Sequence, residues 1–184
     1  MPILGIVASS ISGGLLATSY NSISTVTVSS PVSSISFTSI PATFTHLQIR
    51  GIASNTANIN EGYRFRFNSD TAGNYSAHRA IGDGTSIAAD GNANISYAGE
   101  ASSTNSPVPQ TFSTLVYDVL DYTNTNKYKT VRALSGKDTN GGGKMTILSG
   151  NWRDTAAITS ITIFTIDANF AQYTQFALYG IKGA

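Results

Sequence analysis

Apolar side chains recur at every second position of this chain, in short runs broken by Gly, Asn, Asp, Ser and Pro. Period two puts successive side chains on opposite faces of a strand, so each run predicts a β-strand with one covered face. The clearest is YRFRF at 63–67, with Tyr63, Phe65 and Phe67 inward and Arg64 and Arg66 outward. Upstream, SISTVTVS at 22–29 and SISFTSI at 34–40 flank Pro31 and predict two strands around a turn, the second ended by Pro41. FTHLQIRGIAS at 44–54 sets Leu47 and Ile49 against His46, Gln48 and Arg50. Downstream, NSDTAGNY predicts a turn and 76–81 another strand. FSTLVYDVLDY at 112–122 carries bulk on both faces. A turn at 124–126 returns the chain through 128–135, a glycine-rich hairpin loop spans 137–144, and 145–152 is the next strand.

The last stretch, 151–184, organises the rest. Within 158–167, Ile161 and Ile163 face one way and Phe164 and Ile166 the other. After a break at Asp167, Ala168 and Asn169, 174–181 alternates Phe176 and Leu178 with Ala177 and Tyr179. Apolar residues on both faces mark these two as a pair inside a sandwich, to which the upstream strands add. Residues 82–111 read as a surface excursion with one short strand near 95–98, and as the part that meets a partner. Roughly eight to ten strands without a helix predict an all-β fold. The expectation is an antiparallel two-sheet sandwich, jelly-roll-like, forming a single domain over 21–184 behind an N-terminal arm over 1–20.

Composition sharpens the picture. Of 184 residues only 11% are charged and 41% are hydrophobic, and the polarity comes mostly from Ser, Thr and Asn. That mix is poor helix material, yet too rich in β-branched and aromatic residues for a disordered chain. The net charge is +1, and the closest basic pairs, Arg64/Arg66 and Lys127/Lys129, have the spacing of a solvated strand face. No nucleic-acid partner is expected. Cysteine is absent, which removes disulfides and thiolate metal sites. MPILGIVA at the start lacks a basic flank and its apolar run is short, so neither a signal peptide nor a membrane span is expected, and assembly falls in a cytoplasm. Ile3, Leu4, Ile6, Val7, Leu15 and Leu16 make the arm apolar enough to order against a neighbouring chain; a frayed terminus is the alternative.

Candidate chemistry is sparse. His46 and His78 have no metal-ligand spacing. Asp118 and Asp121 lie an odd number of residues apart on one strand and so face opposite ways, which disfavours them as a glycosidase pair. GxSxG is absent, and 136–144 imitates a phosphate loop but has Gly142 where Lys belongs. The turns at Asp70 and Asp90 do not complete a calcium loop, and the sequons at Asn74 and Asn94 are what chance gives in a chain rich in Asn, Ser and Thr. No catalytic residue, metal ligand or cofactor site is read from the chain, so a non-enzymatic binding or structural module is expected.

Four phrases, in order over most of 34–183, carry a resemblance: FTSIPATFTHLQIRGIA, YRFRFNSDTAGNYSAH, NWRDTAAITSITIF and FALYGIKG. Together they resemble a group of small all-β virion proteins of tailed bacteriophages. That resemblance implies a structural part of the virion, either a capsid decoration (cement) protein or a tail or fibre component, and supplies no catalytic residue. A cement protein implies homo-oligomers, trimers foremost, that bridge the major capsid protein or other virion proteins. Arg64, Arg66 and the apolar arm are then the candidate contacts. The fibre alternative implies a jelly roll binding host glycans through exposed aromatics, with Tyr75, Tyr97 and Tyr173 as the residues to try; an ordinary half-buried tyrosine is the plainer reading of each.

Overall fold

The computed structural model of the chain describes residues 19–57, 62–101 and 111–183. Among them lie twelve strands: β1 (Tyr20–Thr27), β2 (Ser34–Phe37), β3 (His46–Ala53), β4 (Tyr63–Phe67), β5 (Tyr75–Gly82), β6 (Ile87–Ile95), β7 (Glu100–Ala101), β8 (Ser113–Leu120), β9 (Lys129–Asp138), β10 (Gly143–Trp152), β11 (Ile161–Phe164) and β12 (Gln175–Ile181). They form an eight-stranded sheet, β1-β12-β3-β8-β9-β10-β5-β6, and a four-stranded sheet, β2-β11-β4-β7. Every ladder is antiparallel. The all-β, two-sheet sandwich expected from the alternation is present.

The inward residues of the two sheets form one aromatic core. Tyr63, Phe65 and Phe67 of β4 have no exposed surface, while Arg64 and Arg66 point away from the core. Phe65 stacks on Tyr117 of β8 with ring centroids 3.8 Å apart, and Tyr75 stacks on Trp152 at 6.1 Å. Phe170 and Phe176 meet edge-on and close the layer near Tyr63. Such rings dominate core burial and prefer offset or edge contacts.

Turn chemistry explains the connections. In the β4–β5 turn, Asn68 and Ser69 take left-handed backbone angles (φ 49° and 58°), a conformation Asn tolerates. Asp70 then accepts hydrogen bonds from the Ala72 amide (2.8 Å), the Asn74 side chain (3.0 Å) and the Trp152 indole N–H (2.7 Å). The loop read at 137–144 narrows to Asn140–Gly141, both at positive φ (57° and 111°), and the ladder closes at Asp138 and Gly143. Paired left-handed residues match the strand twist, which is why Asn-Gly marks two-residue hairpins.

Three expectations change. The runs at 22–29 and 34–40 do not pair with each other. β1 joins β12 in the larger sheet, and β2 joins β11 in the smaller one. Nor is the C-terminal stretch a strand pair: β11 sits inside the four-stranded sheet and β12 inside the eight-stranded one. Period two reports which side chains share a face and carries no information on which sheet a strand joins. The excursion at 82–111 contains a nine-residue strand, β6, paired along β5. Its Ala, Asp, Gly and Asn residues give no hydrophobic alternation to read. The apolar residues assigned to the arm (Ile3, Leu4, Ile6, Val7, Leu15 and Leu16) lie outside the described residues.

Candidate interaction surface

Register aligns the outward residues of the eight-stranded sheet into rows. One row runs Ala177, Arg50, Val116, Leu134, Ile147, Ala80, Ala89 from β12 to β6. The next, two residues along, runs Gln175, Ile52, Thr114, Gly136, Met145, Gly82, Ile87. Outward positions on a half-exposed sheet are normally polar. Here Ile52, Leu134, Met145 and Ile147 keep 46%, 52%, 57% and 58% of their surface in solvent, and Ile87 keeps 86%. From β3 to β6 the strip crosses five strand spacings, about 24 Å, and two rows give it a width near 13 Å, on the order of 300 Å². That is the size of the largest apolar patch a monomer usually shows, and such patches are often functional.

In the bordering row Gln48, Asp118 and Arg132 satisfy one another. The Gln48 amide donates to Asp118 (2.7 Å), and Arg132 donates to the other Asp118 oxygen (2.9 Å). Arg50 donates to Gln48 (2.7 Å) and lies over the rings of Tyr20 and Tyr179. At its other end the strip opens into a groove of about 750 Å³ between the β5–β6 and β9–β10 turns, with Met145, Phe112, Lys137 and Lys144 in its lining. Burial, and then the neighbouring Lys144 charge, pushes the Lys137 ammonium below its usual pKa.

At the β5–β6 end the inner face of the larger sheet meets the smaller sheet through charge. Arg64 pairs with Glu100 (2.6 Å), Glu100 with Arg79 (2.9 Å), and Arg79 with Asp90 (2.9 Å). This chain of ions runs from β4 and β7 of one sheet to β5 and β6 of the other. Arg64 also lies over the Tyr97 ring at 5.0 Å. Arg66 lies over Phe164 at 4.4 Å and donates to the Ser96 carbonyl at 3.1 Å. Both arginines do face outward, but each guanidinium is engaged within its own chain, so they clasp the sandwich and are poor anchors for a neighbour.

The remaining candidates separate. Tyr75 is corrected: it has no exposed surface, its hydroxyl donates to the Phe67 and Asp70 carbonyls, and burial pushes its pKa up to about 12. It cannot present its ring to a glycan. Tyr97 is half-buried beneath Arg64, whereas Tyr173 is 66% exposed and held at φ 71°. Lys127 is exposed as expected. Lys129 is fully buried, and its ammonium donates to the carbonyls of Lys127 (3.1 Å) and Thr155 (3.0 Å) and to that of Asn124. Its spacing from Lys127 suggested a solvated face; the inward register of β9 decides otherwise.

Asp118 and Asp121 do not converge. The first lies on the outer face; the second, beyond β8 at φ 49°, pairs with Lys127 and lies 3.4 Å from His46. The Lys127 hydrogen bond, against some desolvation, holds the Asp121 carboxyl below its usual range. Asp70 and Asp90, weighed as calcium ligands, are occupied by Trp152 and Arg79. Among the described residues no group of three or more His, Cys, Asp or Glu is placed to hold a metal ion. Sequence reasoning missed the apolar strip itself. The sole signal was bulk on both faces at 112–122, since Leu134, Met145 and Ile147 each look unremarkable alone. Comparison with protein-family models, with curated proteins and with solved structures finds no match to this chain.

Proposed function

We propose that this protein is a non-enzymatic structural subunit of a tailed-phage virion, foremost a capsid decoration (cement) protein that works by contact with copies of itself and with the shell. The observation that carries the reading is the exposed apolar strip on the eight-stranded sheet, from Ile52 through Val116, Leu134 and Ile147 to Ile87. Water-exposed apolar rows are a standing drive to associate, and a sheet face offers a stiff platform for it. The resemblance of its ordered phrases to those of phage virion proteins favours the same role. The proposed partners are further copies, as trimers foremost, and the major capsid protein; neither a cofactor nor a nucleic acid enters.

The test is location and occupancy. Gold-labelled antibody on purified particles should mark the head lattice, and purified protein should saturate expanded capsids lacking it. A label confined to the tail tip, or no binding to capsids, overturns the cement reading. Tyr173, exposed in a left-handed conformation that bulky residues rarely adopt, favours the fibre alternative as the second reading. Selective glycan-array binding lost in Tyr173→Ala would support it.

A further inference from the structure

Of the four sheet edges, three are blunted. β1 is broken by a register shift between Ser22 and Ser24, β2 has four residues and β7 two. β6 is different. It stays in continuous register with β5 from Ile87 to Ala93, and no described strand pairs on its far side. Eight of its nine residues are exposed; only Ile95, at its end, packs against the core. Its edge protection is slight: it has no Lys or Pro, its one charge, Asp90, is paired with Arg79, and its one bulge lies at the end, beyond Ala93. Ala, Asp, Gly and Asn are weak strand formers, and one ladder is little to hold a strand bare on both sides.

We propose that β6 is a strand-addition edge that pairs antiparallel with β6 of a second copy about a two-fold axis, joining two eight-stranded sheets into one. The inference rests on the assembly reading and adds its partner and contact strand. Charge supports a second copy as the occupant. The single charge on β6, Asp90, is neutralised by Arg79, whose Nε lies 2.9 Å from both carboxylate oxygens, so two such edges meet without repulsion. Antiparallel self-pairing is isologous: every donor on one edge finds an acceptor on the other. Small side chains do not obstruct the approach. The outer rows ending at Ala89 and Ile87 would continue across the junction. An edge about 30 Å long and about 10 Å thick covers on the order of 300 Å² per copy. That is below half of the roughly 800 Å² per partner of a standard stable complex, so the pairing is reversible and gains strength by repetition.

The chain has no cysteine, which makes single-cysteine crosslinking clean. Ala88→Cys, Ala89→Cys, Asn92→Cys and Ala93→Cys would be oxidised in turn, with Thr25→Cys on β1 as the control and the fluorescence of the sole tryptophan as the fold check. Crosslinking should peak at the position nearest the axis and fall on either side, with a rate roughly tenfold or more above the control, because pairing raises the local thiol concentration toward the millimolar range. A flat profile, or none above the control, overturns the pairing. So does capture of a different protein by Ala89→Cys without self-crosslinking. Repeating the series with Leu134→Ser and Ile147→Ser separates the two readings. Crosslinks that persist support the edge contact even if capsid binding is lost; crosslinks that vanish assign the contact to the sheet face and overturn it. Asn92→Lys, which restores edge protection, should lower the weight-average mass in concentrated solution.

Discussion

Replacing Leu134 and Ile147 together by Ser should weaken association while leaving a folded protein. The two residues pair across the β9–β10 ladder at the middle of the apolar strip, and 52% and 58% of their surfaces remain in water. Full burial of such a side chain is worth about 1.5–3 kcal/mol, so covering the exposed half contributes about 1 kcal/mol for each. The double substitution therefore removes about 2 kcal/mol from any contact that covers this face, a loss of roughly 30-fold in affinity. Folding loses the halves already covered, about 2 kcal/mol for the pair, or about 4–8 °C in Tm at this chain length. The assay is occupancy of capsids against protein concentration, beside a thermal melt. Thr130→Asp serves as the control, on the same strand and face but beyond the polar border. Affinity that stays at the parent value, measured at a temperature where the variant is fully folded, would refute the assignment of this face. A melt lowered by 10 °C would show instead that the strip already holds the fold.

Further outcomes test the structural argument. Asp70→Ala strips the buried Trp152 N–H of its acceptor and should cost about 2–3 kcal/mol in urea unfolding. Desolvation raises the Asp70 pKa, but the hydrogen bonds from Trp152, Asn74 and Ala72 outweigh it, so the folded-state value lies below the unfolded one. The stability this carboxylate contributes is thus present above about pH 4 and lost as pH falls through the folded value, and acid titrations of parent and variant should converge there. Gly99→Ala should destabilise by about 2 kcal/mol or more, because φ is 96° and the new Cβ would lie 2.6 Å from the Leu148 side chain; an unchanged Tm would contradict this backbone geometry. Glu100→Gln removes the carboxylate shared by Arg64 and Arg79 and should lower stability by about 1–3 kcal/mol. The loss should shrink in high salt if exposed Coulomb attraction dominates, and persist if the hydrogen bonds do.

Strand content was legible because burial on one face leaves a period-two trace. Tyr63, Phe65 and Phe67 announce β4, and Phe176 and Leu178 announce β12, whatever they pack against. The glycine-rich run at 137–144 announced its hairpin, because left-handed backbone has few residues that accept it, though the turn at Asn140–Gly141 was fixed only by the register. The scarcity of charge and the lack of cysteine likewise belong to the sequence alone. Sheet membership did not, since β11 and β12 look alike as strings yet lie in opposite sheets. The fate of Lys129 turned on a register set by β10, and β6 became a strand by pairing with β5, without any pattern of its own. The apolar strip is the plainest case. Val116, Leu134 and Ile147 come from three separate strands, and only antiparallel pairing, a sum of contacts between residues distant in sequence, lays them side by side in water.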